Sequence, residues 1–188
     1  MVVLMIRIID FLAAFLGLFF LWPVLLVVAV LGFFDTHSPI FVQERVGRNK
    51  KAFKLIKFRT MKVDTQSVAS HLASASSITR FGAFLRRTKL DELPQLINVL
   101  KGDMSLVGPR PNLFNQEELI AERDALGVYD VLPGITGLAQ IQNIDMSTPR
   151  LLAQTDKNMI DTLTLKSYFH YIIKTATGSG AGDAVHKK

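Results

Sequence analysis

Two adjacent carboxylates, Asp91 and Glu92, stand in the stretch TKLDELPQL of an otherwise basic chain. Cationic side chains crowd them from the N-terminal side at Arg86, Arg87 and Lys89. Farther on, in GPRP, Arg110 is held between Pro109 and Pro111, whose rings fix the local backbone. Its planar guanidinium matches two oxygens of a phosphate. A carboxylate pair beside several phosphate-sized cationic groups is the set that an enzyme handling a diphosphate needs. Arg and Lys neutralise the oxygens, and a carboxylate-held Mg²⁺ offsets the remaining charge. A second carboxylate attacks phosphorus or moves a proton. A plainer reading stands beside this one. Pro94 fits only the first turn of a helix, so LPQLINVL starts close to Asp91, which then serves as an N-cap while Glu92 complements the helix dipole. Adjacent helical residues project about 100° apart, so a pair of carboxylates exceeds what a cap requires.

Competing chemistries are absent from the sequence. It contains no P-loop, no G-x-S-x-G and no H-R-D. With no cysteine, disulfides, thiolate metal sites and thiol catalysis are excluded. The four histidines, His37, His71, His170 and His186, have no ligand spacing, so no structural zinc is expected.

The elements that must position these residues belong to one modest domain of a 188-residue chain. The segment IFVQERVGRNKKAFKLIKFRTM predicts a β-hairpin turning at Gly47-Arg48-Asn49. The small, polar TQSVASHLASASS (65–77) is a loop, either a lid or a plain connection. SITRFGAFLRRTKL places Ile78, Phe81, Phe84 and Leu85 at helical spacing among basic residues, which suits a membrane-interface helix or a core-facing one. NQEELIAERDAL is a short polar helix, LPGITGL a glycine-rich turn, and LTLKSYFHYIIK an amphipathic aromatic segment. The tail TATGSGAGDAVHKK is expected to be disordered, and no internal repeat is present.

Apolar residues make up 49% of the chain, yet the net charge is +6, a pairing that suggests contact with a membrane or a polyanion. From Phe11 to Phe34 there is no charged residue, and a helix of that length covers a hydrocarbon core of about 30 Å. The run is too long for a cleavable signal peptide and lacks a small-residue cleavage site. Pro23 near its middle removes a helical hydrogen bond, so the residues allow either a kinked span or a helix-break-helix that returns to the same face. Eight basic residues from Arg45 to Lys62, uninterrupted by an acid, put the globular part in the cytoplasm by the positive-inside rule and suit anionic phospholipid headgroups.

The segment LDELPQLINVLKGDMSLVGPRP, residues 90–111, closely resembles the catalytic core of the small monotopic phosphoglycosyl transferases, bacterial enzymes that move a phosphosugar from a UDP-sugar onto a polyprenol phosphate. FVQERVGRN (41–49), KFRTM (57–61) and LPGITGLAQI (132–141) extend the resemblance, which runs from the apolar segment to about Ile141. It implies an α+β fold, with a re-entrant membrane helix broken at Pro23 (1–36), a cytoplasmic catalytic domain of interfacial helices and a β-hairpin (37–174), and a disordered tail (175–188). It further implies that Asp91 is the nucleophile, forming a covalent phosphosugar and releasing UMP, with Mg²⁺ beside it. Glu92 would assist the polyprenol phosphate, undecaprenyl phosphate by the same resemblance, and Lys57, Arg86 and Arg110 would contact phosphate. The implied location is the bacterial inner membrane, cytoplasmic face, in glycoconjugate biosynthesis. Trp22 stands where a serine is common, Leu138 where larger relatives carry tryptophan, and after Asn143 the match fades.

Two other function classes share some of these features. A membrane-bound Mg²⁺-dependent hydrolase of nucleotide or lipid diphosphates would use the same carboxylates and cations with a positioned water. A non-enzymatic module bound to anionic lipid would use the 45–62 run and leave Asp91-Glu92 only a capping task; no nucleic-acid motif accompanies that run. The sugar, the polyprenol length, the glycan pathway and the choice between monomer and homodimer are not encoded in recognisable residues.

Overall fold

A computed structural model of the chain describes residues 2–65 and 75–178. The apolar N-terminal run forms one helix, α1 (Val2–Thr36). The break expected at Pro23 does not occur, because the helix continues through it. Pro23 lacks the N–H that would bond the carbonyl four residues earlier, and one missing bond does not unwind a helix flanked by apolar turns. At about 1.5 Å per residue α1 is roughly 50 Å long, more than a hydrocarbon core of about 30 Å. Among the described residues it is the one helix long and apolar enough to cross a membrane.

Two stretches of α1 are buried, at Asp10 and Ala14 and again at Val28 and Thr36. Ala14 packs with Leu55, Val99 and Met104 at one end, and Val28 with Phe58 and Leu85 at the other. The opposite side exposes Phe15, Phe19, Phe20, Trp22, Phe33 and Phe34. Polar groups fasten both ends to the same domain. Arg7 donates to the Val99 carbonyl at 2.7 Å and to the Met104 carbonyl at 3.1 Å. Asp10 accepts from Leu106 N–H at 2.8 Å and from the Tyr168 hydroxyl at 2.6 Å. At the far end Thr79 donates to Asp35 at 2.6 Å.

The expected hairpin is present, with β1 (Ile40–Val46) antiparallel to β2 (Ala52–Phe58). Its connection is a 3-10 turn over Arg48–Lys50, in which Asn49 and Lys50 take positive φ. Then α2 (Arg80–Thr88) follows, capped by Thr79, whose hydroxyl accepts from Gly82 N–H. A 3-10 turn over Leu90–Glu92 leads into α3 (Gln95–Lys101), which ends at Gly102 with φ 87°. Fully buried Asn98 staples α3 to β2, accepting from Ile56 N–H and donating to the Lys54 carbonyl.

The glycine-rich segment read as a turn is instead a strand. β3 (Ser105–Val107) pairs in parallel with β4 (Gly134–Thr136). A Cβ on Gly134 would lie 2.0 Å from Gly108 N, and one on Gly108 would lie 2.5 Å from the Leu132 carbonyl oxygen. Only glycine permits that approach. The polar helix α4 (Glu117–Ala125) lies between the two strands in the chain. After β4 come the short α5 (Leu138–Ile141), α6 (Pro149–Asp161) and α7 (Leu165–Ala176). The sequence reading assigned no element to α6, although Pro149 at its first position and buried Leu152, Ala153, Asp156 and Met159 mark an amphipathic helix. Thr175 and Ala176, assigned to the tail, are the last helical residues of α7. Most of the 65–77 loop and residues 179–188 lie outside the described residues.

Candidate active site

The turn that carries the two carboxylates starts from an unusual backbone. Lys89 ends α2 in the left-handed region, at φ 58°, and redirects the chain into Leu90–Glu92. That turn packs against both α2 and β2. Asp91 and Glu92 are only 2% and 7% exposed. Pro94, not Asp91, occupies the N-cap of α3, and no side chain caps that helix. Capping of α3 therefore does not explain the pair, and two carboxylates this deep need cationic company to stay ionised.

Arg110 supplies that company directly, and the elements that carry Arg86 and Lys57, α2 and β2, pack against the turn. Arg110 donates to Glu92 Oε1 at 2.6 Å, a partly buried charge-assisted bond. Arg86 projects from α2 and donates from Nε to the Thr60 hydroxyl at 2.9 Å. The helix reaches Thr60 because a Cβ on Gly82 would fall 2.0 Å from the Thr60 carbonyl oxygen, so Gly82 alone permits the contact. Lys57 lies buried on β2, its Nζ 5.7 Å from the centre of the Phe41 ring on the paired strand. Lys57 and Arg110 line one crevice together with Arg45, Gln95, Pro111 and Gly134. Of the cations near the pair in sequence, Arg87 is exposed on α2 and belongs to no part of this crevice.

Arg110 is positioned by its backbone. Gly134 N–H donates to the Pro109 carbonyl at 2.9 Å, and Gly108 N–H to the Thr136 carbonyl at 2.8 Å. Arg123, 1% exposed, donates to the Arg110 carbonyl and to Asn112 Oδ1, both at 2.9 Å. Arg123 is held in turn by Asp156 Oδ2, with contacts of 3.0 Å from Nε and 2.6 Å from the terminal nitrogen. Burial pushes the Asp156 carboxyl up, and Arg123 opposes that shift. The Tyr129 hydroxyl also donates to Asn112 Oδ1, at 3.0 Å, and burial raises the Tyr129 pKa.

Of the residues expected from sequence, the structure brings Lys57, Glu92 and Arg110 into one neighbourhood, with Asp91 beside Glu92 and Arg86 one turn before them. Pro23 lies away from this site, exposed on α1. Sequence reasoning missed Arg45 and Gln95 in the crevice and the Arg123–Asp156 pair beneath it. Arg45 was visible only as part of a basic run; in the structure it is buried and donates to the Pro111 carbonyl at 3.1 Å.

Hard oxygen donors from Asp91 and Glu92 suit Mg²⁺, which is ordinarily held by one or two carboxylates completed by substrate phosphate and water. Among the described residues no group of three or more His, Asp or Glu side chains could hold a metal unaided.

The chain matches the bacterial sugar transferase family over residues 1–180. An exopolysaccharide production protein of Rhizobium leguminosarum bv. phaseoli is 42% identical over 155 residues, covering 77% of this chain and 76% of the relative. A UDP-glucose:undecaprenyl-phosphate glucose-1-phosphate transferase of Xanthomonas campestris pv. campestris is 40% identical over 150 residues, 76% of this chain and 31% of the relative. A protein of the same description from Caulobacter vibrioides is 35% identical over 179 residues, 90% of this chain and 67% of the relative. The chain spans less than two thirds of the length of several relatives it matches. With nearly its whole length matched, the chain belongs to the bacterial sugar transferase family.

Proposed function

We propose that this protein is a phosphoglycosyl transferase that moves a sugar 1-phosphate from a UDP-sugar to a polyprenol phosphate, undecaprenyl phosphate by analogy with its relatives, releasing UMP. The observation that carries this reading is the buried Asp91-Glu92 pair, with Glu92 bonded to Arg110 and Lys57 sharing a crevice with Arg110. A nucleophilic carboxylate needs its substrate's negative charge neutralised before it can approach phosphorus, and these cations supply that field.

In the proposed sequence an Asp91 oxygen attacks the sugar-bearing phosphorus of the UDP-sugar. The bond from that phosphorus to the bridging oxygen breaks, and UMP leaves with its electrons. The product is an acyl-phosphate ester on Asp91. An oxygen of the polyprenol phosphate then attacks the same phosphorus, the acyl-phosphate bond breaks, and Asp91 regains its carboxylate. Glu92, paired to Arg110 at 2.6 Å, fixes that guanidinium toward the phosphates and can accept a proton from the incoming lipid phosphate. Mg²⁺, where bound, would be held by Asp91 with diphosphate oxygens and would offset charge on the leaving group.

The membrane arrangement follows the same reading. Both ends of α1 are fastened to one domain while its outer side is apolar, which supports a helix held within one leaflet. The basic run from Arg45 to Lys62 is the reason for placing the catalytic domain on the cytoplasmic face. A site held at that surface meets a lipid phosphate in a fixed orientation.

Intact-protein mass spectrometry after incubation with Mg²⁺ and a panel of UDP-sugars tests the proposal. A phosphosugar adduct on wild type, absent from Asp91→Asn and discharged by polyprenol phosphate, is the expected result. Turnover with no adduct and no dependence on lipid would identify a hydrolase instead.

A further inference from the structure

The polar crevice of Lys57, Arg45 and Arg110 lies on one side of the Glu92–Arg110 ion pair; Glu92 also lines a second cavity of different character. This cavity measures about 290 Å³ and lies between the Leu90–Glu92 turn, α3, β4 and α7. Its walls include Leu93, Leu96, Leu106, Ile135 and Ile172, with Lys89 as its one cation. The volume is close to the roughly 300 Å³ at which small-ligand pockets begin. The left-handed backbone of Lys89 turns its side chain off α2 towards α7, where Nζ donates to the Thr175 carbonyl at 3.3 Å.

We propose that this cleft seats the first isoprenyl units of the acceptor lipid, with Lys89 contacting its phosphate beside Glu92. The assignment rests on the transferase reading above. Charge complementarity selects the occupant: Glu92 on the rim is neutralised by Arg110 at 2.6 Å, so the net charge of the lining comes from Lys89, and walls that are apolar apart from Thr88, Thr136 and Thr175 suit a single anionic head joined to a hydrocarbon chain. A uridine diphosphate would leave its polar ring and ribose facing leucine and isoleucine, with their hydrogen bonds unmade. The cleft also backs onto the domain-facing side of α1. Leu96 and Leu106 pack on the α1 side against the clusters containing Ala14, Ile6 and Ile9, and a Cβ on Gly17 of α1 would lie 3.0 Å from Leu96. Donor and acceptor thus approach from opposite sides of the Glu92–Arg110 pair, so the covalent phosphosugar can form before the lipid enters.

The test fills the cleft and times the two half-reactions separately in full-length protein in detergent or nanodiscs. Ile135→Trp and Ile172→Trp occupy the hydrocarbon space, and Lys89→Asn removes the charge while tolerating the left-handed backbone. Ile173→Trp, exposed on the outside of α7, is the control. Adduct formation from UDP-sugar reports on fold and donor chemistry and is recorded for each variant first. The expected result is an increase of at least tenfold in the KM for undecaprenyl phosphate in the three cleft variants, with the control unchanged. A photoreactive prenyl phosphate should label peptides containing Lys89–Leu93 or Ile172–Ala176. Wild-type KM in variants that form adduct, or labelling mapped elsewhere, would overturn the assignment. A variant with normal KM but weakened association with phosphatidylglycerol vesicles would show that the cleft holds a bilayer phospholipid, also overturning it. A wild-type protein that never forms adduct would refute the transferase reading itself, a failure that the first measurement separates from the second.

Discussion

Removing the carboxylate of Asp156 should separate what the Arg123–Asp156 pair does for stability from what it does for Arg110. Arg123 and Asp156 are 1% and 0% exposed and share two contacts of 3.0 and 2.6 Å. Asp156→Ala leaves a guanidinium buried without its counter-ion, which costs about 3–5 kcal/mol. For a chain of this length 1 kcal/mol moves the melting temperature by roughly 2–4 °C, so a fall of about 6–20 °C is expected. The double variant Arg123→Met with Asp156→Leu removes both charges and fills their volume with hydrocarbon. Such replacements are often neutral or stabilising by about 1–4 kcal/mol, so its melting temperature should return to that of wild type or above it. Turnover should not return. The Arg110 carbonyl loses the donor that fixes the Pro-Arg-Pro segment, while Asn112 keeps the Tyr129 hydroxyl. Differential scanning fluorimetry alongside single-turnover adduct formation reads both quantities. A double variant that regains activity together with stability would refute a positioning role and leave the pair purely structural.

Asp91→Asn should abolish adduct formation, with turnover down by at least about 10³-fold and a melting temperature within a few degrees of wild type, because the α3 cap is Pro94. Arg110→Lys keeps the charge but loses the fork, and losing one charge-assisted bond of about 1.5–3 kcal/mol should slow adduct formation roughly 10- to 150-fold. Asp10→Ala strands both the Leu106 N–H and the Tyr168 hydroxyl and should destabilise the protein by about 2–5 kcal/mol, measured by chemical denaturation in detergent. All three tyrosines, Tyr129, Tyr168 and Tyr171, have pKa values raised by burial above the ordinary 10.0. Their neutral forms are favoured in the fold, so the stability they contribute is complete below about pH 10 and is lost as pH rises through the folded-state values. Tyrosinate absorbance should therefore appear together with unfolding, and a tyrosine titrating at pH 10 in folded protein would contradict their burial.

The elements carried by local pattern were legible in the sequence. The hairpin over 40–58, the basic helix α2, the polar helix α4 and the carboxylate pair with its arginines all announce themselves through alternation, helical spacing or the placement of proline. What was not legible depends on distant partners. The β3–β4 pairing joins two strands of three residues each, too short for any alternation to register, and its signature is two glycines that permit contact across the chain. Arg123 reads as an ordinary surface charge of a polar helix and Asp156 lies in a stretch given no element, because their burial is created by each other and by the backbone of Arg110. Lys57 sits in a basic run that looks solvated; only the register opposite Phe41 and the packing of the hairpin turn it inward. Pro23 misled in the other direction, since a local rule for breaking helices met a run of apolar turns that held the helix intact.

The anchoring of α1 also bears on how the chain can meet a membrane. A spanning arrangement would need one end of the helix displaced from the domain across about 30 Å of hydrocarbon. Moving the N-terminal end away would break the two bonds donated by Arg7 and the two accepted by Asp10. Hydrogen bonds to charged groups contribute about 1.5–3 kcal/mol each, so the loss would be of the order of 6–12 kcal/mol, before the burial of Asp10 in lipid is added. Moving the other end instead would release Asp35 from Thr79 and strip Val28 from Phe58 and Leu85. The apolar outer surface of α1 gains its contact with hydrocarbon without either loss if the helix lies along the domain within one leaflet. In that arrangement Leu96, Leu106 and the acceptor cleft sit directly behind the helix, and the proposed membrane topology and the proposed lipid site become consequences of the same packing.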